Sequence, residues 1–144
     1  MATKSQIPIF DLITSLAEAI DLVNPAVHNH NLQVAYTALS LGAELNLPIE
    51  HQNNLVVAGA LHDIGALSHK EQMGNLLFEL ENPHWHCELG YRLLNEFEPF
   101  SDVAELVKFH HVPWAGGQGA EFKGKLVPLG SHILHLADRV VVLI

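Results

Sequence analysis

In the stretch Leu55-Val56-Val57-Ala58-Gly59-Ala60-Leu61-His62-Asp63-Ile64-Gly65, the residues Leu55, Ala58, Gly59, His62 and Asp63 recur at i, i+3, i+4, i+7 and i+8. That is the spacing of one face of an α-helix. The face starts apolar and ends in an imidazole and a carboxylate. Buried ionisable groups are costly unless a partner compensates them, so this stripe asks for a partner.

The same pattern recurs outward from this segment. Val103, Leu106, Val107, His110 and His111 share a face in a helix expected from Ser101 to His111. His86, Leu89, Gly90, Leu93, Leu94 and Phe97 share one in a helix opened by Asn82-Pro83. Val27, His30, Val34, Ala38, Leu41 and Leu45 do so in a helix opened by Asn24-Pro25 and ending near Asn46. In the last helix, from about Leu129, the residues Leu134, Asp138 and Val141 line up. Five inward histidines and two inward aspartates therefore need a common partner. Divalent metal is the economical one, because imidazole nitrogen and carboxylate oxygen suit Mn, Fe, Zn or Ni.

The remaining elements complete an all-α reading. A first helix from Phe10 to Val23 places Ile9, Ile13, Leu16, Ile20 and Val23 on one stripe, with heptad-like spacing. Pro48 and Glu50 open the helix that ends near Gly65, a further helix is expected around Lys70 to Leu80, and Pro99 breaks the chain before Ser101. Val112 to Pro128, rich in glycine and proline, reads as a functional or mobile loop. Sustained period-2 alternation is absent. The helix from Ile133 to Ile144 is apolar nearly all round and lacks a stop signal. It is expected to be buried, under a natural continuation of the chain or under another subunit.

Composition bounds the rest. The 144 residues fit one domain, with residues 1–24 as a helical extension and 25–144 as the domain proper. Sixteen acidic against seven basic residues give a net charge of −9, which argues against a nucleic-acid polymer as partner. No apolar run is long enough to span a membrane, no secretory signal is visible, and the single cysteine, Cys87, fits a cytoplasmic protein. Cys87, off the stripe, reads as a small buried hydrophobe. Eleven histidines outnumber lysine and arginine together. Of these, His28 and His84 should point away from the stripes, while His51, His69, His132 and His135 read as surface or hydrogen-bonded residues.

Ala60-Leu61-His62-Asp63-Ile64-Gly65 resembles the defining motif of the HD-domain metal-dependent phosphohydrolases. Further segments, in order, are similar to the HD-GYP branch, which includes cyclic di-GMP phosphodiesterases: His30 to Tyr36, His86-Cys87-Glu88-Leu89-Gly90, His110-His111 with Trp114 and Gly116, and Pro128-Leu129-Gly130 followed by Ala137-Asp138. The resemblance implies a helical bundle with a metal centre between helices, held by His30, His62, Asp63, His86, His110, His111 and Asp138. It implies two or three divalent ions bridged by Asp63, His62-Asp63 as the catalytic pair, and attack on phosphorus by a metal-bridging hydroxide. The substrate implied is a small phosphodiester or nucleotide, such as cyclic di-GMP. Gly116, Gly117 and Lys123 become candidate substrate contacts, Lys123 by matching a family loop lysine. A homodimer or attachment to further domains fits the first helix.

The sequence departs from the branch at two places. Ala66 stands where the family usually has a phosphate-holding lysine. The Gly-Tyr-Pro signature is missing from the loop Trp114 to Phe122, and Val112 and Pro113 replace the family's acid and arginine. These departures keep a second reading open, a metal-binding signalling or interaction module without turnover.

Overall fold

Three helices begin directly after a proline: Pro8, Pro48 and Pro128 are each extended, with ψ of 134°, 146° and 140°. Proline fixes φ and removes an N–H, so it separates these helices from what precedes them. The computed structural model describes residues 7–23, 28–66 and 84–144. Within them the order is α1 (Ile9–Asp21), α2 (His30–Glu44), α3 (Ile49–Leu61), α4 (His84–Asn95), a 3-10 turn (Glu98–Phe100), α5 (Ser101–Lys108), a 3-10 segment (Ala115–Ala120), β1 (Glu121–Phe122), β2 (Lys125–Leu126) and α6 (Leu129–Leu143). The expected caps at Asn24-Pro25 and Asn82-Pro83, Val27, His69 and the helix around Lys70 to Leu80 lie outside the described residues.

The fold is an all-α bundle. Helix α2 packs on α3 and α6, α4 on α5, and α1 against α2 and α3. The shared core contains Val34 and Ala38 of α2, Leu55 and Leu61 of α3, Val103 and Val107 of α5, and Leu134 of α6, all at most 1% exposed. Small residues set the closest approaches. A Cβ on Gly59 would lie 2.5 Å from the Ala35 Cα, so α2 and α3 touch backbone to backbone. A Cβ on Gly65 would collide with the His86 carbonyl, so the turn after α3 presses directly on α4.

Several boundaries and faces differ from the sequence reading. Helix α3 ends at Leu61 and α5 at Lys108, so the two histidine-bearing motifs sit in the turns that follow, not inside helices. Helix α2 begins at His30, with Asn29 left-handed at φ 59° ahead of it. On α1 the buried line is Ile13, Ala17 and Asp21, an i, i+4, i+8 row, while Ile9 and Val23 are exposed. Leu45, Leu93 and Phe97 are likewise exposed, because α2 and α4 each meet neighbours along a narrower stripe than the one expected. Helix α6 buries its inner face against the bundle, and the cover expected for its other side was a continuation of the chain or another subunit, not this bundle. Leu136, Val140, Leu143 and Ile144 are exposed, since α6 lies on the outside of the described bundle. The Val112–Pro128 loop contains an antiparallel hairpin pairing Glu121 with Leu126 and Phe122 with Lys125. Its two-residue turn is Lys123-Gly124, at φ 50° and 76°. Positive φ at both positions is what a tight hairpin of this hand requires, and glycine meets that demand at low cost.

Candidate metal centre

The two motif turns place their imidazoles by the same local device. The His62 Nδ1–H donates to the Gly59 carbonyl at 2.8 Å. The His110 Nδ1–H donates to the Val107 carbonyl at 2.6 Å. Each bond reaches back three residues across the end of a helix, satisfies a terminal carbonyl, and leaves Nε2 as the lone-pair nitrogen of a neutral ring. Both Nε2 atoms point into the space between α2, α3, α4 and α6.

The seven residues expected to hold metal converge there. His30 Nε2 lies 3.1 Å from Asp138 Oδ1, and His62 Nε2 lies 3.7 Å from the same oxygen. Asp63 faces both ways, with Oδ2 3.5 Å from His62 Nε2 and Oδ1 3.7 Å from His86 Nε2. His86 Nε2 is 3.3 Å from His110 Nε2 and 3.0 Å from His111 Nε2. His30, His62, Asp63, His86, His110 and Asp138 are all at most 7% exposed. Two donor groups, His30-His62-Asp63 and His86-Cys87-His110-His111, each have their ligand atoms within 4.8 Å of one another. Asp63 sits between them with one carboxylate oxygen toward each.

The protonation tendencies of His110, His111, Asp63 and Asp138 suit a cation, and that of His30 answers Asp138 instead. Burial and the adjoining His111 hold the His110 imidazole well below its ordinary value. Burial, with His86 beside it, brings His111 down to about 2. Burial alone would raise the Asp63 carboxyl, but His62 and His86 outweigh it and hold it below the usual range. Asp138 is held low in the same way, by the bond to His30 and by His62 and Arg139, against the pull of burial. His30 is raised, because its contact with Asp138 outweighs its burial. Neutral imidazoles and ionised carboxylates are the forms that ligate. A cluster of nitrogen and carboxylate donors also matches borderline divalent ions.

Residues outside the expected set support the centre. His135 Nδ1–H donates to the His110 carbonyl at 2.9 Å, and His132 Nδ1–H to the Val112 carbonyl at 3.0 Å. The Ser131 hydroxyl donates to the Leu106 carbonyl at 2.9 Å. From little more than its first turn, helix α6 thus holds the carbonyls of His110 and Val112 on either side of His111, and that of Leu106 in α5. The sequence offered only a generic hydrogen-bonded role for these histidines. Asp21 and Asn31 were missed altogether: the Asn31 amide donates to Asp21 Oδ1 at 2.5 Å, tying α1 to the residue after His30. Burial raises the Asp21 carboxyl. No local pattern pairs residues from two different helices, so nothing in the sequence signalled that bond. Cys87 is fully buried as expected, yet its Sγ lies 3.5 Å from His110 Nδ1 and 3.8 Å from His86 Nε2. Burial, aided by Asp63, pushes its thiol strongly upward. Arg139 places its guanidinium on Asp138 Oδ2, so it pairs with a ligand candidate.

The candidate substrate contacts fall elsewhere. Gly116 and Gly117 have φ of 65° and 96°. The Gly117 N–H donates to the Trp114 carbonyl at 3.0 Å, which takes that amide out of the expected anion-facing role. Lys123, at the hairpin tip, lines a cleft with His84 and Trp85 instead of lining the histidine cluster. His84 stacks on Phe122 at 4.7 Å between ring centroids, and His28 and His51 are exposed.

Comparison with known proteins agrees with this geometry. The sequence profile described as HD domain matches residues 27–143. The 3'3'-cGAMP-specific phosphodiesterase 1 of Vibrio cholerae serotype O1 is 30% identical over 127 residues, which cover 87% of this chain and 29% of that protein. The chain thus spans less than a third of the length of the curated relative it matches. No solved structure matches it significantly. A profile match over most of the chain, with both motif residues His62 and Asp63 buried among further imidazoles, places this chain in the HD-domain family.

Proposed function

We propose that this chain is a metal-dependent phosphohydrolase of the HD-GYP-like branch, cutting a phosphodiester in a cyclic dinucleotide or a related nucleotide. The observation that carries the reading is the convergence of five imidazoles and two carboxylates from separate elements on one buried point. His30, His62, Asp63, His86, His110, His111 and Asp138 would hold two or three divalent ions of Fe, Mn, Zn or Ni. Such ions lower the pKa of water, supply a nucleophile near neutrality and offset phosphate charge. The relative named as a 3'3'-cGAMP phosphodiesterase supports a cyclic dinucleotide as the substrate class.

The chain's own residues would set the geometry. Asp63 spans the two donor groups, and His62 beside it is fixed by Gly59, which makes this pair the catalytic core. The carbonyl bonds to His62 and His110 engage Nδ1 of each ring and leave Nε2 as the atom that would face a ligand. Asp138 would be shared among His30, His62 and Arg139, so the guanidinium helps to keep it ionised. Gly116 remains a candidate for close backbone approach to an anion.

The test is hydrolysis of bis-p-nitrophenyl phosphate and of cyclic dinucleotides with Mn or Fe supplied. Expected is metal-dependent turnover that His62→Ala and Asp63→Ala reduce by more than the roughly 10- to 100-fold typical of losing a ligand's supporting partner. Turnover surviving either change would refute the assignment. One observation favours the second reading, a metal-binding module without turnover: Ala66, at the place of the family's phosphate-holding lysine, is 4% exposed and offers no cation. Metal bound with full occupancy, without hydrolysis of either substrate class, would favour it.

A further inference from the structure

The cleft between α4, the end of α5 and the hairpin collects opposite features to the rest of the molecule. The chain carries −9, yet Lys108, Lys123 and Lys125, which are all the described lysines, line this one cavity of about 320 Å³. Trp85 and Phe122 line it too, and Trp85 is 62% exposed. The Lys108 ammonium is set 3.7 Å above the centre of the Tyr91 ring, which fixes its position at the cleft wall. Glu88 is the acidic residue of the lining, and its carboxylate accepts from Arg92 Nε at 3.0 Å, so its charge is partly answered. None of the residues of the histidine cluster lines this cavity.

We infer that this cleft binds a nucleoside monophosphate, its phosphate held by Lys108, Lys123 and Lys125 and its base stacked on Trp85. Three ammonium groups select an anion and supply charge-assisted hydrogen bonds to phosphate oxygens. The exposed indole of Trp85 selects a planar base, because stacking is favourable for every base. A bare inorganic anion would leave the indole unused, and a nucleoside would leave the lysines unused. The cavity is near the small end of ligand sites, which suits one nucleotide and not a strand. The inference is independent of turnover, since a monophosphate has no diester bond to cut.

The test uses the metal-loaded chain carrying Trp114→Phe, which leaves Trp85 as the only tryptophan. The probes are GMP, guanosine, inorganic phosphate and a single-stranded decanucleotide. Expected is saturable quenching of Trp85 by GMP, weaker with guanosine, absent with phosphate, and weakened on the order of tenfold or more by the pair Lys123→Glu and Lys125→Glu. Calorimetric titration of GMP into the unsubstituted chain should give the same affinity, which guards against harm from the tryptophan change. Three results would overturn the inference: no GMP binding by either method; binding that survives the lysine changes but is lost in Asp63→Asn, which would place GMP at the metal centre; or a decanucleotide that binds more than about tenfold tighter than GMP, which would make the cleft part of a strand-binding track.

Discussion

His135 shows how a residue with no ligand role can still govern a metal centre. Its ring donates to the carbonyl of His110, whose own ring faces the cluster. Removing it as His135→Ala leaves that carbonyl short of a donor and frees the turn. Expected is a roughly 10- to 100-fold loss of Mn affinity by titration, with the fold intact by circular dichroism. The exposed His51, changed to alanine, should leave the affinity unchanged. At this scale the sequence was highly legible where an ionisable residue interrupts an apolar stripe, as at His62, Asp63 and Asp138. It was not legible where a contact joins distant segments. Asp21–Asn31, Arg139–Asp138 and Cys87–His110 each depend on how two elements meet or on a rotamer, and neither is written in local spacing.

Helical periodicity located α1 to α3, α4, α5 and α6, but overran the ends of α3 and α5. His62 keeps helical angles, φ −60° and ψ −32°, after the α3 hydrogen-bond ladder has stopped. The stripe therefore continues through the motif although the helix does not. The hairpin was read as loop because its strands are two residues each, too short for alternation to register. Its turn, Lys123-Gly124, carried the available signal. The tightest element contact gives a prediction about stability. In Gly59→Ala the new methyl would meet the α2 backbone at Ala35, and backbone cannot rotate aside as a side chain can. Expected is a loss of about 1–3 kcal/mol in urea unfolding, together with weaker metal binding, because α2 carries His30 and α3 leads into His62.

Charge acts on the whole molecule through pH. In the metal-free protein His110 and His111 are held below their ordinary values by burial, so the unfolded chain binds protons that the folded chain refuses. Their effect is absent above about pH 6.5 and destabilises progressively as pH falls below it, by up to about 1.4 kcal/mol per pH unit for each group. His30, raised by Asp138, works the other way: its stabilisation is present in acid and lost as pH rises through its folded value. Asp63 and Asp138, held low, add stability above about pH 4 that disappears as pH falls through their folded values. His84 and His135 are also held low by burial, so four histidines act against His30 alone, and the urea midpoint of the metal-free protein should drop between pH 7 and pH 5. A midpoint that rose over that interval would contradict the burial of neutral imidazoles.

At this same scale the outer side of α6 leaves Leu136, Val140 and Leu143 open to solvent within this chain, on the helix for which the sequence reading expected cover from a continuation or another subunit. Among the described residues no helix is long and apolar enough to cross a membrane. All-α architecture and a bundle around inward polar residues were legible from composition and period. Which faces stay bare depends on packing partners, and no stripe specifies those.

The most direct measurement is anomalous diffraction at the Mn or Fe edge from crystals of the metal-loaded chain. Expected are at least two peaks flanking Asp63, one within ligand distance of His30, His62 and Asp138 and the other of His86, His110 and His111. A well-ordered map with no peak among these side chains, or with peaks only at the protein surface, would contradict the metal centre.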